Sequence, residues 1–365
     1  MKKTLYSLFL LCFCGAWLCA CGAVPTPTAP TLSTTSAATT PPAESSAAEV
    51  VMGYYTGSAA SFAALQQFSQ VVNLVSVDVY TVDAQGQISG RDAYGAAAYA
   101  QAHQIAAYAC ISNYNDSLYD FDPQRAEIAL TSAKETLIAD LVALAQEQGY
   151  QGVNIDFENI AASGDVATDR ARFSSFIHEL AADLHAAGLR LIISVPAKTA
   201  DDLADSWSGP FDLAALGADA DFLQLMTYDE HGGWSAAGPV SGADWVENVL
   251  HYTTQIVVPA KLLVGLPAYG YDWSTQGTRD VSWVDVPGLL ALPGAVQHWD
   301  EASQSPWLEY ELDGVAHMLW YEDAASILTK AALARQYALG GISVWALGKE
   351  DEYFWQAALP PFIGD

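Results

Sequence analysis

Amide and carboxyl side chains alternate with apolar residues over the stretch 152–158, which reads Gly-Val-Asn-Ile-Asp-Phe-Glu. Because successive side chains of a β-strand point to opposite faces, Asn154, Asp156 and Glu158 share one face, and the three apolar residues share the other. Burying two carboxyls and an amide costs on the order of several kcal/mol unless they are paired or hydrogen-bonded. A strand selected only for stability would not carry this pattern. The spacing indicates an acid, Glu158, with a supporting carboxyl about 6.6 Å lower along the strand, Asp156.

Eight strand-like apolar runs alternate with helix-like stretches over the last 315 or so residues. This alternation predicts a (β/α)8 TIM barrel, which is usually about 250 residues long plus insertions. Barrel enzymes build their active sites at the carboxyl ends of the strands, and Glu158 falls at such an end. An open doubly wound sheet is the alternative, but the Gly-rich phosphate loop that it would require after the first strand is absent. The predicted strands are 50–55, 71–79, 105–111, 152–157, 190–195, 222–228, 262–269 and 341–345.

The interval between the seventh and eighth predicted strands is too long for one helix and two loops, at about 70 residues. Within it, the runs 307–312 and 315–321 flank Asp313-Gly314, a strong hairpin signal. We therefore expect a small β-rich insertion over about 272–322, followed by a helix from Asp323 to about Leu339.

The first fifty residues read as an export segment and a linker. Lys2 and Lys3 precede an uncharged, mostly apolar run, the pattern of a signal peptide. The run ends Leu-Cys-Ala-Cys-Gly, which resembles a bacterial lipobox with Cys21 as the lipidated residue, although Cys19 is unusual at its position. Residues 21–48 are rich in Pro, Thr, Ser and Ala and predict a disordered tether. We expect residues 49–365 to form the catalytic domain of an extracytoplasmic, membrane-anchored lipoprotein; a secreted protein and an uncleaved anchor are the alternatives.

The charge balance and the cysteines limit the possible partners. The chain has 42 acidic and 14 basic residues, a net charge of −28, and such a surface repels nucleic acid. Cys110 is the one cysteine beyond the export segment, so no disulfide can form within the folded part. His231 has no second ligand at a metal-binding spacing. We expect a monomer with no metal and no cofactor.

The stretch 151–158 resembles the active-site strand of glycoside hydrolase family 18, whose pattern is D-G-x-D-x-D-x-E. Gly152, Asp156 and Glu158 match, whereas Gln151 and Asn154 stand where the family usually has aspartates. The change at 154 removes a carboxyl that normally shares a proton with the middle aspartate, but an amide can still donate a hydrogen bond to Asp156. The branch of the family that lyses the spore cortex is the most similar. Further matching segments are 53–56, 195–199, 225–231, 238–240, 265–270, 320–323 and 343–348.

The resemblance implies retaining hydrolysis in which the substrate's 2-acetamido oxygen attacks C1 and forms an oxazolinium ion. Glu158 would be the proton donor, Asp156 would orient the acetamido N–H, and Tyr228 would bind the acetamido oxygen. The resemblance also implies substrate contacts for a further set of side chains. These are Asn154, Asp229 and the platform Trp345, with Tyr55, Tyr269 and Trp320 in the cleft wall and Asn113 at the rim.

The sequence thus favours a hydrolase acting on N-acetylglucosamine-containing polysaccharide. Peptidoglycan of the spore-cortex type, chitin and host glycans remain open as substrates. A non-hydrolytic chitinase-like lectin is the alternative, and the presence of Glu158 distinguishes the two. A purely structural envelope lipoprotein is a third reading, against which the polar strand face argues.

Overall fold

The computed structural model describes residues 49–360. The predicted export segment, the tether and Cys21 lie outside the described residues. Within residues 49–360, no helix combines the length and the apolar character needed to cross a bilayer.

Eight parallel strands form a closed barrel, as predicted. Each strand pairs with its neighbours in chain order, and the first strand pairs with both the second and the eighth, which closes the ring. The eight strands are Val50–Tyr55, Leu74–Val82, Ala106–Ser112, Gly152–Asp156, Arg190–Pro196, Phe222–Met226, Leu262–Pro267 and Gly341–Trp345. A short strand, Ile88–Gly90, pairs antiparallel with the second barrel strand, and a two-residue ladder joins Tyr114–Asn115 to Asp120–Phe121.

Three predicted strands have limits that differ by two or more residues in the structure, and one of them, the sixth, ends at Met226 rather than at residue 228. The second begins at Leu74 rather than at residue 71, because the amides of Val71 and Val72 bond the carbonyl of Phe68 and close the preceding helix. The seventh ends at Pro267, because the chain then leaves the barrel and enters a separate sheet at Tyr269.

Helices surround the barrel and cover the outward faces of its strands. The helix Val166–Ala186 buries Phe173, Phe176, Ile177 and Leu180 on one side, and the ring of Phe176 stacks on Phe157 at 6.0 Å. This contact covers the apolar face of the chain where the fourth barrel strand leads into Glu158. The other α-helices are Ala59–Gln67, Ala96–Ala102, Pro123–Leu130, Lys134–Gln148, Leu213–Asp219, Ala243–Thr253, Val286–Leu290, Ala324–Gln336 and Glu352–Ala358, with 3-10 turns at Pro259–Lys261 and Trp283–Asp285.

A five-stranded antiparallel sheet lies between the last two barrel strands. It contains the predicted hairpin, in which Asp313 and Gly314 both adopt positive φ (54° and 78°), as a tight two-residue turn requires. The sheet has its own small apolar core around Val281, Leu308 and Leu319. Its strands, in spatial order, are Gly277–Ser282, Tyr269–Ser274, Val315–Trp320, Ser305–Leu312 and Val296–Asp300.

The barrel interior changes from apolar to polar towards the carboxyl ends of the strands. Met52, Leu74, Ile192 and Leu263 are buried together in the lower interior. Above them lie side chains that hydrogen-bond one another across the barrel, which are Tyr54, Ser76, Asn154, Ser194, Gln224 and Ser343. The cleft lies directly above this polar layer.

Candidate active site

A cleft of about 670 Å³ opens at the carboxyl ends of the barrel strands. The structure brings five of the predicted site residues to its wall, namely Asp156, Glu158, Tyr228, Asp229 and Trp345. The remaining lining residues are Asp120, Phe121, Pro196, Ala197, Trp207, Met226, Glu230, Trp234 and Trp245.

Asn113 holds the backbone of Glu158 in place. Its side-chain amide donates to the Glu158 carbonyl at 2.8 Å and accepts from the Glu158 N–H at 2.9 Å. Asn113 is fully buried at the end of the third barrel strand. The structure thus places Asn113 in support of the acid, and the predicted rim residue is not part of the cleft lining.

Asn154 lies one layer below the cleft and is fully buried. Its Nδ2 donates to Tyr54 Oη at 3.1 Å and to Ser76 Oγ at 3.0 Å, with Cys110 Sγ at 3.6 Å, and its Oδ1 accepts from Ser194 at 3.3 Å. Asn154 is not part of the cleft lining, and its amide is taken up by these partners. The expected hydrogen bond from Asn154 to Asp156 is absent for the same reason.

Burial raises the pKa of both carboxyls of the active-site strand. It raises the pKa of Asp156 to about 6, and the Ser194 hydroxyl works in the opposite direction. The pKa of Glu158 is raised well above its usual value, first by burial and then by the negative charges of Asp156 and Asp229. The Glu158 carboxyl therefore stays protonated near neutral pH, as a general acid must.

Tyr228 and Asp229 follow the sixth barrel strand. Asp229 has a φ of 60°, a left-handed conformation that aspartate tolerates better than most residues. Its Oδ1 accepts hydrogen bonds from the hydroxyls of Tyr269 at 2.5 Å and Tyr271 at 3.0 Å. Burial raises the pKa of Asp229, and these two hydroxyls lower it. The predicted wall residue Tyr269 thus lies behind Asp229 and orients it.

Trp345 ends the last barrel strand and is half-buried at the cleft wall. The ring of Tyr54 meets it edge-on, with 5.1 Å between the ring centroids. The peptide bond between Trp345 and Ala346 is cis. As a lining residue of the cleft, Trp345 offers an indole of the kind that stacks on sugar rings.

Like Tyr269, the other two predicted wall residues, Tyr55 and Trp320, do not line the cleft. Tyr55 is fully buried and faces outward, with its ring edge-on to Phe62 of the first helix at 6.3 Å. Strand alternation accounts for this, since the adjacent Tyr54 faces the barrel interior. Trp320 stacks on Trp307 at 5.8 Å within the five-stranded sheet.

Three tryptophans of the cleft were not among the residues predicted from the sequence. Trp207 and Trp234 lie on loops after the fifth and sixth barrel strands and are 45% and 67% exposed, and Trp245 lies on the helix Ala243–Thr253. A tryptophan within a polar, Gly-containing loop was the signal that could have identified the first two. Within the described part of the chain, no group of His, Cys, Asp and Glu side chains is arranged to hold a metal ion.

Comparisons with known proteins agree with this geometry. The model of glycosyl hydrolases family 18 matches residues 50–350. The Bacillus subtilis glycosylase YvbX is 37% identical over 316 residues, which are 84% of this chain and 90% of that protein. The cortical fragment-lytic enzyme of Bacillus subtilis is 28% identical over 254 residues, 67% of this chain and 57% of that enzyme.

A solved structure extends the likeness to three dimensions. The chitinase of Chromobacterium violaceum ATCC 12472 has a TM-score of 0.81 and 39% identity, covering 87% of this chain and all of that one. With the sequence match, the barrel and the acid-bearing cleft in agreement, the chain belongs to glycoside hydrolase family 18 and is a chitinase-like glycosidase.

Proposed function

We propose that this protein hydrolyses β-1,4 bonds at N-acetylglucosamine units with retention of configuration, using the 2-acetamido group of the substrate as the nucleophile. The observation that carries the proposal is the shared position of Asp156 and Glu158: Asp156 ends the fourth barrel strand, Glu158 follows two residues later, and both line one cleft. Tyr228 and Trp345 face the same space.

Glu158 protonates the glycosidic oxygen in the first step. Its raised pKa keeps the proton available near neutral pH. As the bond to the leaving sugar breaks, the acetamido oxygen attacks C1 and closes an oxazolinium ring. Glu158, now ionised, takes a proton from the water that opens this ring, which returns the acid to its starting form.

Asp156 and Tyr228 act on the acetamido group. Ionised Asp156 accepts its N–H and stabilises the positive charge that develops on the ring, an electrostatic contribution favoured by burial. The Tyr228 hydroxyl donates to the acetamido oxygen and directs it at C1. Trp345 supports the apolar face of the sugar.

The placement of the carboxyls supports substrate assistance over attack by a carboxylate of the protein. A retaining glycosidase with its own nucleophile places two carboxyls on either side of the scissile bond, about 5–5.5 Å apart. Here Asp156 ends the fourth barrel strand and Glu158 follows two residues later, so both carboxyls come from one side of the cleft. The acetamido oxygen of the substrate, rather than a carboxylate of the protein, is then the nucleophile that attacks C1.

The charge of the cleft favours an uncharged substrate. Its wall contains five carboxyl residues, Asp120, Asp156, Glu158, Asp229 and Glu230, and no Lys or Arg. A free muramic acid carboxylate would be repelled by the members of this set that are ionised, whereas chitin and muramic lactam carry no charge. We propose chitin-type oligomers and lactam-rich, cortex-like peptidoglycan as the preferred substrate class.

Digestion of three matched substrates tests the function. Chitin oligosaccharides and lactam-rich peptidoglycan should release fragments that end in N-acetylglucosamine, at least about tenfold faster than lactam-free peptidoglycan. Mass spectrometry identifies the products. Proton NMR at early times should show the β-anomer, and a thiazoline analogue of N-acetylglucosamine should inhibit competitively.

Each alternative has its own outcome in these digestions. Inverted product, or cleavage of glycans without a 2-acetamido group, would exclude the mechanism. Equal rates on the two peptidoglycans would exclude the charge argument. Binding of chitin oligosaccharides with no cleavage at any pH would identify a lectin.

The proposed location is the outer face of a membrane, with the barrel tethered through Cys21. The lipobox-like run and the Pro/Thr/Ser/Ala-rich linker support this proposal. The full chain expressed in a bacterial host should incorporate labelled fatty acid and sediment with membranes, and Cys21→Ala should abolish both. Labelling that persists in the variant would refute the anchor.

A further inference from the structure

Asp78 is a carboxyl inside the barrel that the mechanism above does not use. It lies on the second barrel strand, two residues beyond Ser76, whose hydroxyl accepts from Asn154 Nδ2 at 3.0 Å. Inward positions recur every second residue, so Asp78 lies one pleat nearer the cleft than Ser76. Asp156 lies one pleat above Asn154 in the same way. The contact between the lower pair therefore places the two carboxyls in one layer of the barrel.

Cys110 on the third barrel strand separates these two carboxyl-bearing strands. It is in register with Asp78 on one side and with Asn154 on the other. Its thiol is fully buried, which raises its pKa and keeps it neutral. The thiol lies beside the Asp78 carboxyl. The other titratable groups around the two carboxyls are Tyr54, Glu158 and Tyr228.

Asp156 has an unused acceptor. Its Oδ1 is buried, and no donor of the described chain lies within hydrogen-bond distance of it. The amide of Asn154 cannot supply that bond, because Tyr54, Ser76 and Cys110 already take its Nδ2. A buried carboxylate oxygen without a donor is costly, and a second negative charge in the same layer of the barrel adds to that cost.

We propose that Asp78 is a positioning residue of the acid cluster, which stays neutral while Asp156 carries the single negative charge of the pair and, once ionised, holds the proton on Glu158. The proposal rests on the proposed function, since it concerns the same cleft. It gives Asp78 no contact with the substrate, in keeping with its place outside the cleft lining.

The charges of the cluster change in order as the pH rises. Burial and the charge of Asp156 raise the pKa of Asp78 to about 7, and burial raises the pKa of Asp156 to about 6. Between these values the pair carries a single negative charge, with Asp156 ionised and Asp78 neutral. Because the two groups interact, they titrate as a pair. Above about pH 7 the second charge appears, and it contributes to the raised pKa of Glu158.

The pH profile of Asp78→Asn tests the proposal. Asparagine keeps the shape and a donor but removes the charge. The pKa of Glu158 should fall, and the alkaline limb of kcat/KM should move to lower pH by about one unit, so that rates above the limb drop about tenfold. A residue that only fills space would lower the rate without moving the limb. A limb that stays within experimental error of the wild-type position overturns the proposal.

The double variant Asp78→Asn with Asn154→Asp is the matched control. It returns a carboxyl to the cluster next to Asp156, and the alkaline limb should return toward the wild-type pH. The opposite result is an alkaline limb that lies at the same displaced pH in the single and the double variant. That result would assign the shift to altered packing and overturn the proposal.

A titration of the wild-type protein tests the proposed protonation of Asp78 without a mutation and without an activity assay. Carbon-13 NMR with labelled aspartate should show two carboxyls that titrate together, near pH 6 and pH 7. An Asp78 signal that titrates near the ordinary aspartate value of about 3.9 would overturn the proposal even if its variants fail to fold. If no substrate is hydrolysed, the proposed function fails, while this titration still tests Asp78.

Discussion

Glu158→Gln is expected to reduce turnover of natural oligosaccharides by about 10²–10⁴-fold or more, while the fold and sugar binding survive. Glutamine retains the shape of the side chain. The two hydrogen bonds from the Asn113 side chain are made to the backbone of residue 158, which the substitution leaves unchanged. The variant loses the proton that the leaving sugar needs. An aryl glycoside, whose leaving group needs less protonation, should therefore lose less activity.

The measurement is the ratio of rates on an aryl glycoside and on a chitin oligosaccharide, with circular dichroism to monitor the fold. Glu247→Gln is a suitable control, because it removes the same charge from an exposed position on the helix Ala243–Thr253, outside the cleft. The control should keep wild-type rates. Near wild-type turnover of the oligosaccharide by Glu158→Gln would show that the proton donor is another residue.

Asp156→Asn is expected to slow both kinds of substrate to a similar extent, by about 10²–10³-fold. Its role is to support the oxazolinium ion, which forms whatever the leaving group is. The rate ratio between aryl glycoside and oligosaccharide should stay near the wild-type value, in contrast to the ratio for Glu158→Gln. A variant that spares the aryl glycoside would contradict this division of roles.

The same variant makes a prediction about pH. The functional form of Asp156 is the ionised one, and its pKa is raised to about 6. Wild-type activity should therefore fall as the pH drops through about 6. In Asp156→Asn this acid limb should be lost, because asparagine does not titrate. A limb that stays near pH 6 in the variant would assign it to another group.

The sequence determined features that depend on local periodicity. Alternation by two placed Asn154, Asp156 and Glu158 on one face, and the structure confirms that all three face the barrel interior or the cleft. The succession of strand-like and helix-like runs predicted the barrel, and the Asp313-Gly314 pair predicted the hairpin. Each of these signals arises from residues within a few positions of one another, so a single sequence reveals them.

The tertiary structure alone decided which polar side chains reach the substrate space and which support it. The amide of Asn154 is taken by Tyr54, 100 positions away, and by Ser76, 78 positions away. Asn113 bonds Glu158 across 45 positions. Such contacts depend on the stagger of strands around a closed barrel, which sets the height of each residue relative to residues on other strands. Asp78 gave no motif in the sequence, and its significance comes only from the layer that it shares with Asp156.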